Sequence, residues 1–214
     1  MSFVVTIAQR KGGAGKTTLA CQLVSALVAD GRSVLAVDLD EQKSFSLWAT
    51  LRRQRLGDEE LFSLENVSSL SVGMAARRAE ADIVLVDTAP TIDAAVQRAI
   101  RAADLVVTPL QLSPIDLAAS LPTARAIGEA GRQSLFIVNR APPRARIADE
   151  IRAQIAKHRL PLARTEFGNR AAFAESMAAG AGAVEVAPSG LAAAEARAFA
   201  GEILQRAGLA RRAA

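Results

Sequence analysis

Five short apolar runs recur along the chain, each rich in Val, Ile and Leu: FVVTIA at 3–8, SVLAVD at 33–38, DIVLVD at 82–87, DLVVTPL at 104–110 and SLFIVN at 134–139. Runs this short and this continuously apolar predict strands covered on both faces, as in a parallel sheet. Between them lie longer segments with apolar residues at helical spacing. TTLACQLVSALVAD (17–30) is the clearest, and Gly31 supplies its stop signal. Residues 91–102, 115–129 and 146–157 read as further helices, and 190–208 as a terminal one. The alternation predicts an α/β fold: a mostly parallel twisted sheet flanked by helices on both faces. Residues 52–80 have no decisive period, and their five basic residues are cancelled by five acids. With no internal repeat or low-complexity linker, residues 1–214 are expected to form one domain.

Composition adds mostly exclusions. Half of the 214 residues are hydrophobic, enough for a substantial core. No apolar run approaches the roughly 18 to 20 residues needed to cross a bilayer. The start MSFVVTIAQRKGG also lacks the basic-then-apolar layout of a secretory signal, so a cytoplasmic protein is expected. The single cysteine, Cys21, excludes an internal disulfide and falls where a buried, inert helix residue belongs. No zinc or iron–sulfur site is indicated. His158, the only histidine, lies in a polar stretch and reads as a solvated side chain.

The net charge is +4, unevenly spread. From Arg140 to Arg170 there are eight Lys or Arg against three acids, and Arg206, Arg211 and Arg212 follow near the end with no acid among the last ten residues. A polyanion would land there. A basic surface that only keeps the protein soluble fits the same charges, and the excess of 22 Arg over 4 Lys fits a general compositional bias.

The sharpest chemistry is in QRKGGAGKTTLA, residues 9–20, between the first predicted strand and the first helix. Glycines there let the backbone approach a phosphate and aim N–H groups and the positive helix end at it. Gly12, Gly13, Ala14, Gly15, Lys16, Thr17 and Thr18 form this predicted cradle of a P-loop NTPase. Lys16 would reach the β- and γ-phosphates and Thr17 would offer its hydroxyl to Mg²⁺. The strict P-loop pattern wants glycine where Arg10 stands. Asp87 ends a predicted strand as a Walker B aspartate does, a place from which it would hold the Mg²⁺ shell through water. Asp38 and Asp40, in DLDEQ, fall at the same sheet edge, where they would position metal and attacking water or serve as capping residues in a loop.

KGGAGKTT (11–18), VDLDEQ (37–42) and VLVDTAP (84–90), in this order and spacing, resemble the deviant Walker ATPases of the ParA/MinD type. The likeness spans nearly the whole chain and is nearest to small ParA proteins of plasmid partition without an amino-terminal DNA-binding extension. SLW at 46–48, ADLVVTPLQLSPIDLAAS at 103–120 and RTEFGNRAAFAES at 164–176 carry it further. The resemblance implies that Lys11 crosses the interface of an ATP-bound homodimer to touch phosphates held by the other subunit. It also implies that Asp40 positions the hydrolytic water, that Asp38 lies near the metal, and that Asn139 contacts adenine. Pro109 and the loop after it match a segment near the nucleotide and the dimer interface. The family usually has proline where this chain has Glu41, an acid placed to slow turnover or alter the loop.

For proteins of this branch, the resemblance implies a slow ATP hydrolase stimulated by a ParB-like or cargo-adaptor partner. Its ATP dimer binds double-stranded DNA nonspecifically and releases it on hydrolysis, which makes it nucleoid-associated. The basic segment offers Arg140, Arg144, Arg146, Lys157, Arg159, Arg164 and Arg170 to phosphates. Partition of a plasmid or chromosome region is the expected role. Nucleoid-based positioning of a chemoreceptor cluster or protein compartment is the alternative, and a MinD-like membrane regulator is a third. The tail AFAGEILQRAGLARRAA has a modest apolar face that reads as core packing, so membrane binding is not expected. Trp48 reads as a packing or partner-contact residue.

Overall fold

The computed structural model describes residues 2–65, 80–142 and 146–209, and only the backbone at 146–148. The strands are β1 (Phe3–Ile7), β2 (Val34–Asp38), β3 (Phe62–Glu65), β4 (Ile83–Asp87), β5 (Leu105–Leu110) and β6 (Gln133–Val138). The helices are α1 (Lys16–Ala29), α2 (Ser44–Leu56), α3 (Ala94–Ala102), α4 (Pro114–Glu129), α5 (Arg146–Lys157), α6 (Ala171–Ala178), α7 (Ala183–Val186) and α8 (Leu191–Arg206). All pairings are parallel, in the order β3-β2-β4-β1-β5-β6.

Strand side chains alternate between two apolar layers, as a period of two requires. Val5, Ile7, Ala36, Leu85, Val107 and Ile137 pack with α1 and α8 through Leu23, Leu27, Phe199 and Ile203. On the opposite face, Val37 and Val86 meet Ala99 of α3, Val106 meets Ile127 of α4, and Phe136 meets Ile151 and Ile155 of α5. Both faces are covered, so the central strands are buried along their length. Outside β6, the segment at 161–167 runs alongside as a cover: Phe136 N–H donates to the Pro161 carbonyl at 2.7 Å and Phe167 N–H to that of Val138 at 2.9 Å. This blunts one sheet edge.

The register sets up the site. β1 and β4 are neighbours whose onward crossovers run in opposite directions, β1 to β2 and β4 to β5, which makes the place between them the switch point at which open α/β sheets bind ligands. Ile7 is level with Asp87, and Asp87 with Asp38, so the loop after β1 and both carboxylates share one carboxyl edge. A cavity of about 730 Å³ lined by Phe3, Asp82, Asp104 and Gln133 sits at the amino edge instead, away from this chemistry.

The five apolar runs are the strands within a residue or so at either end, and the five helical segments are α1, α3, α4, α5 and α8. The unassigned stretch holds the end of α2 and the edge strand β3. Trp48 is buried, donating its indole N–H to the Ala181 carbonyl at 3.1 Å, which makes it a packing residue in this chain. Cys21 is fully buried, its thiol pushed well above the usual range by burial, and His158 is exposed.

Candidate functional site

The glycine-rich loop joins β1 to α1, and its shape depends on two glycines with left-handed backbone, Gly13 at φ 73° and Gly15 at φ 95°. At Gly15 a side chain is also excluded sterically, because a Cβ there would lie 2.1 Å from Asn139 Nδ2. Helix α1 begins at Lys16 with no side-chain cap and no acid in its first turn. Its first amides therefore face outward with the positive end of the helix dipole, a ready phosphate site.

Lys16 is buried, and desolvation lowers its pKa against the opposing pull of Asp87 and Asp40. Asp87 is fully buried, and desolvation raises its carboxyl to about 7 despite a hydrogen bond from Thr17 and the charge of Lys16. Thr17 Oγ1 donates to Asp87 Oδ2 at 2.7 Å, whereas Asp87 Oδ1 has no partner among the described residues. A buried carboxylate oxygen without a donor is costly unless a ligand satisfies it. That orphaned oxygen, next to a hydroxyl and an uncapped helix end, fits a magnesium ion carried in with phosphates. Among the described residues no three acids, histidines or cysteines converge as a cation cage, which is the usual economy of magnesium–nucleotide sites.

The other expected residues occupy more specific roles. Asp38 is buried and fully engaged: Oδ1 accepts from the Asp40 amide at 3.0 Å, and Oδ2 from the Ser46 amide and hydroxyl at 2.9 and 2.8 Å. It thus caps α2 from outside, taking the N–H that Lys43, at φ 52° and without a capping side chain, leaves free. Asp38 fixes the loop and the start of α2 from a strand end level with Asp87. Asp40 is half-exposed, its Oδ1 accepting from Gln42 N–H at 3.0 Å. Asn139 donates through Nδ2 to the Ala14 carbonyl at 2.8 Å and accepts from Arg140 N–H at 3.0 Å. It braces the phosphate loop from the end of β6.

Lys11 is not free. Its Nζ donates to Asp116 Oδ2 at 2.7 Å, on the first turn of α4. Asp116 was missed by sequence reasoning, although it follows Ser-Pro in a helix-start pattern. The basic flank also differs from a set of free cations. Arg170 is clamped to Glu195 by both Nε and Nη2, and Arg164 donates to Gln205 at 2.9 Å while remaining exposed. Arg140, Lys157 and Arg159 are exposed. Arg144 and the side chain of Arg146 lie outside the described residues, as do Arg211 and Arg212.

Comparison with known proteins follows the same lines. A family model described as VirC1 protein matches residues 1–207. The chain is 36% identical over 154 residues to the maintenance of carboxysome distribution protein A of Gloeobacter kilaueensis, covering 71% of this chain and 68% of that one. It is 31% identical over 128 residues to protein ParA of Rhizobium radiobacter, covering 59% of this chain and 56% of that one. The fold matches the septum site-determining protein MinD of Pyrococcus horikoshii, solved with Mg-ADP, at a TM-score of 0.75 and 20% identity over 100% of both chains. The chain belongs to the VirC1 family and, with these relatives, to the ParA/MinD type of ATPase.

Proposed function

We propose that the protein is an ATP-driven dimerisation switch that positions cargo over DNA. The observation that carries this reading is the convergence at one sheet edge of an uncapped helix end, the buried pair Lys16 and Asp87, and a second lysine, Lys11, just before the glycines. The amides of residues 13–18 and Lys16 hold the phosphates. Thr17 and Asp87 would hold Mg²⁺, which would supply neutralisation of the phosphate charge. Asp40, half-exposed beside this pocket, orients the hydrolytic water, with exposed Glu41 next to it tempering turnover. Lys11, released toward a second copy, neutralises phosphate charge in trans, so ATP favours the pair over the single chain.

The exposed cations Arg140, Lys157, Arg159 and Arg164 supply weak, sequence-independent phosphate contacts that pairing multiplies. A membrane reading has less support, because Phe199, Ile203 and Leu204 of α8 are buried in the core. Among the described residues, no helix is long and apolar enough to cross a membrane. For cargo, partition of a plasmid or chromosome region remains a reading. The longer and closer match to a carboxysome distribution protein than to ParA favours a protein assembly.

Co-sedimentation with DNA and with liposomes, in ATP, ADP and no nucleotide, tests the proposal. DNA pelleting confined to ATP is expected. Pelleting with liposomes, or DNA binding indifferent to nucleotide, would overturn it.

A further inference from the structure

We propose that Asp116 is a positioning residue that holds Lys11 in cis and so sets the ATP concentration at which two copies pair. The inference rests on the dimerisation reading above. Lys11 Nζ sits 2.7 Å from Asp116 Oδ2, with side chains 34% and 5% exposed. The carboxylate is itself fixed. Ser113, the N-cap of α4, accepts from the Asp116 amide at 3.1 Å and donates its hydroxyl to the same Oδ2. A carboxylate in the first turn of a helix is further stabilised as an anion by the helix dipole.

The contact is one point of a longer seam. Asp116, Ser120 and Thr123 lie at helical spacing on one face of α4 and are all buried, a polar stripe where an apolar one would be expected. Its partners are the residues just before the glycines. Gln9 Nε2 donates to Ser120 Oγ at 2.8 Å, Thr123 Oγ1 contacts Gln9 Oε1 at 3.4 Å, and the amides of Arg10 and Lys11 reach Thr123 Oγ1 and Gln9 Oε1 at 3.4 Å. The backbone contacts are long, whereas the lysine's ion pair is short. The exposed Gly12 and Gly13 separate this seam from Ala14, which Asn139 clamps. The strand-to-loop segment is thus pinned on both sides of two glycines, and the Lys11 side chain is the part free to leave.

Giving that amine to a nucleotide on another copy is an exchange, not a gain. Lys11 leaves a carboxylate, and Asp116 becomes a buried anion whose remaining side-chain partner among the described residues is the Ser113 hydroxyl, an arrangement that low-dielectric surroundings disfavour. The triphosphate wins only by carrying more negative charge than one carboxylate, which ties release to occupied ATP sites. An uncharged Asn at 116 keeps the size and the hydrogen bond with Ser113 while removing the competitor.

The test is an Mg-ATP titration of wild type and Asp116→Asn by analytical ultracentrifugation. The half-dimerisation ATP concentration is expected to fall about tenfold, in line with a charge-assisted hydrogen bond. ADP affinity of the single chain should be unchanged, and Lys11→Ala/Asp116→Asn should stay as monomeric as Lys11→Ala. Ser113→Ala, which loosens the carboxylate without removing it, should lower the threshold less. A merely structural Asp116 would give the opposite sign, so an unchanged or raised threshold in folded Asp116→Asn overturns the holding role. If wild type pairs with ATP and shares the variant's threshold, the holding role alone falls. If wild type stays monomeric at saturating ATP, the dimerisation reading falls with it.

Discussion

The carboxyl edge of the sheet and the flank outside β6 both carry concentrated charge, and the fold treats the two differently. At the edge, Lys16 and Asp87 are buried, and an Asp87 oxygen is left without a donor. On the flank, Arg152 chelates both oxygens of Glu166 at 2.8 Å, Arg170 clamps Glu195, and Glu202 accepts from the Arg164 and Thr165 amides. Flank charge paired in this way is scaffold. Charge that is desolvated and left unpaired costs stability, and it persists where a ligand completes it.

Removing one cation from each region should sharpen the contrast most. Lys16→Ala takes away the only buried cation at the phosphate loop, and nucleotide affinity by calorimetry should fall about 100-fold or more, the scale of a desolvated charge–phosphate contact. Arg152→Ala should cost about 1 kcal/mol of stability or less, since its pair is half-exposed, and should leave nucleotide affinity unchanged. Equal losses of affinity would erase the distinction.

A smaller effect appears in the pH dependence of the nucleotide-free protein. The Asp87 carboxyl is raised to about 7 from 3.8, chiefly by burial. Between those values the folded chain keeps a proton that the unfolded chain has lost, so stability falls as pH rises through this window. From pH 5 to 7 the loss is on the order of 2 kcal/mol. Urea midpoints measured at pH 5 and 7.5 should therefore favour the lower pH, and Asp87→Asn should flatten that difference. Arg170→Ala on the flank should leave the slope as in wild type. A wild-type slope already flat would mean that Asp87 is solvated.

Much of this was legible in the residues. Continuous apolar runs such as DIVLVD, short and rich in Val and Ile, read as strands covered on both faces, and the β4 register sets Asp87 level with Ile7 at the start of the loop. β3 escaped because an edge strand buries alternate side chains only, and FSLE is too short and polar to signal a period. α2 escaped for another reason: its buried face includes Arg52, an ion held by Glu59 and Glu185 and stacked against Trp48, so its hydrophobic pattern is broken by a charge that only tertiary contacts explain. In the site, the phosphate loop is local in sequence and was readable. Lys11 with Asp116, Asn139 with Ala14 and Asp38 with Ser46 depend on side-chain pairing, and two of these three span more than a hundred residues. Spacing alone does not encode such pairs.

The finest division lies within the flank itself. Arg140 is exposed, and Arg164 is exposed with a bond to Gln205 and only a 4.0 Å approach to Glu202, whereas Arg170 is held by Glu195, which also accepts from Gly168 N–H at 3.0 Å. Exchanging that pairing for a DNA phosphate would strand Glu195, so Arg170 gains little from DNA. In mobility-shift titrations with ATP, Arg140→Ala or Arg164→Ala should weaken binding a few-fold on unrelated sequences alike and reduce the salt slope by about one. Arg170→Ala should change DNA affinity less than about twofold while lowering thermal stability by an amount near 1 kcal/mol, the usual scale of a partly exposed pair. If Arg170→Ala instead proves the most damaging to DNA binding, its bond to Glu195 opens on contact with DNA, and pairing within the fold is no longer a guide to which arginines are free.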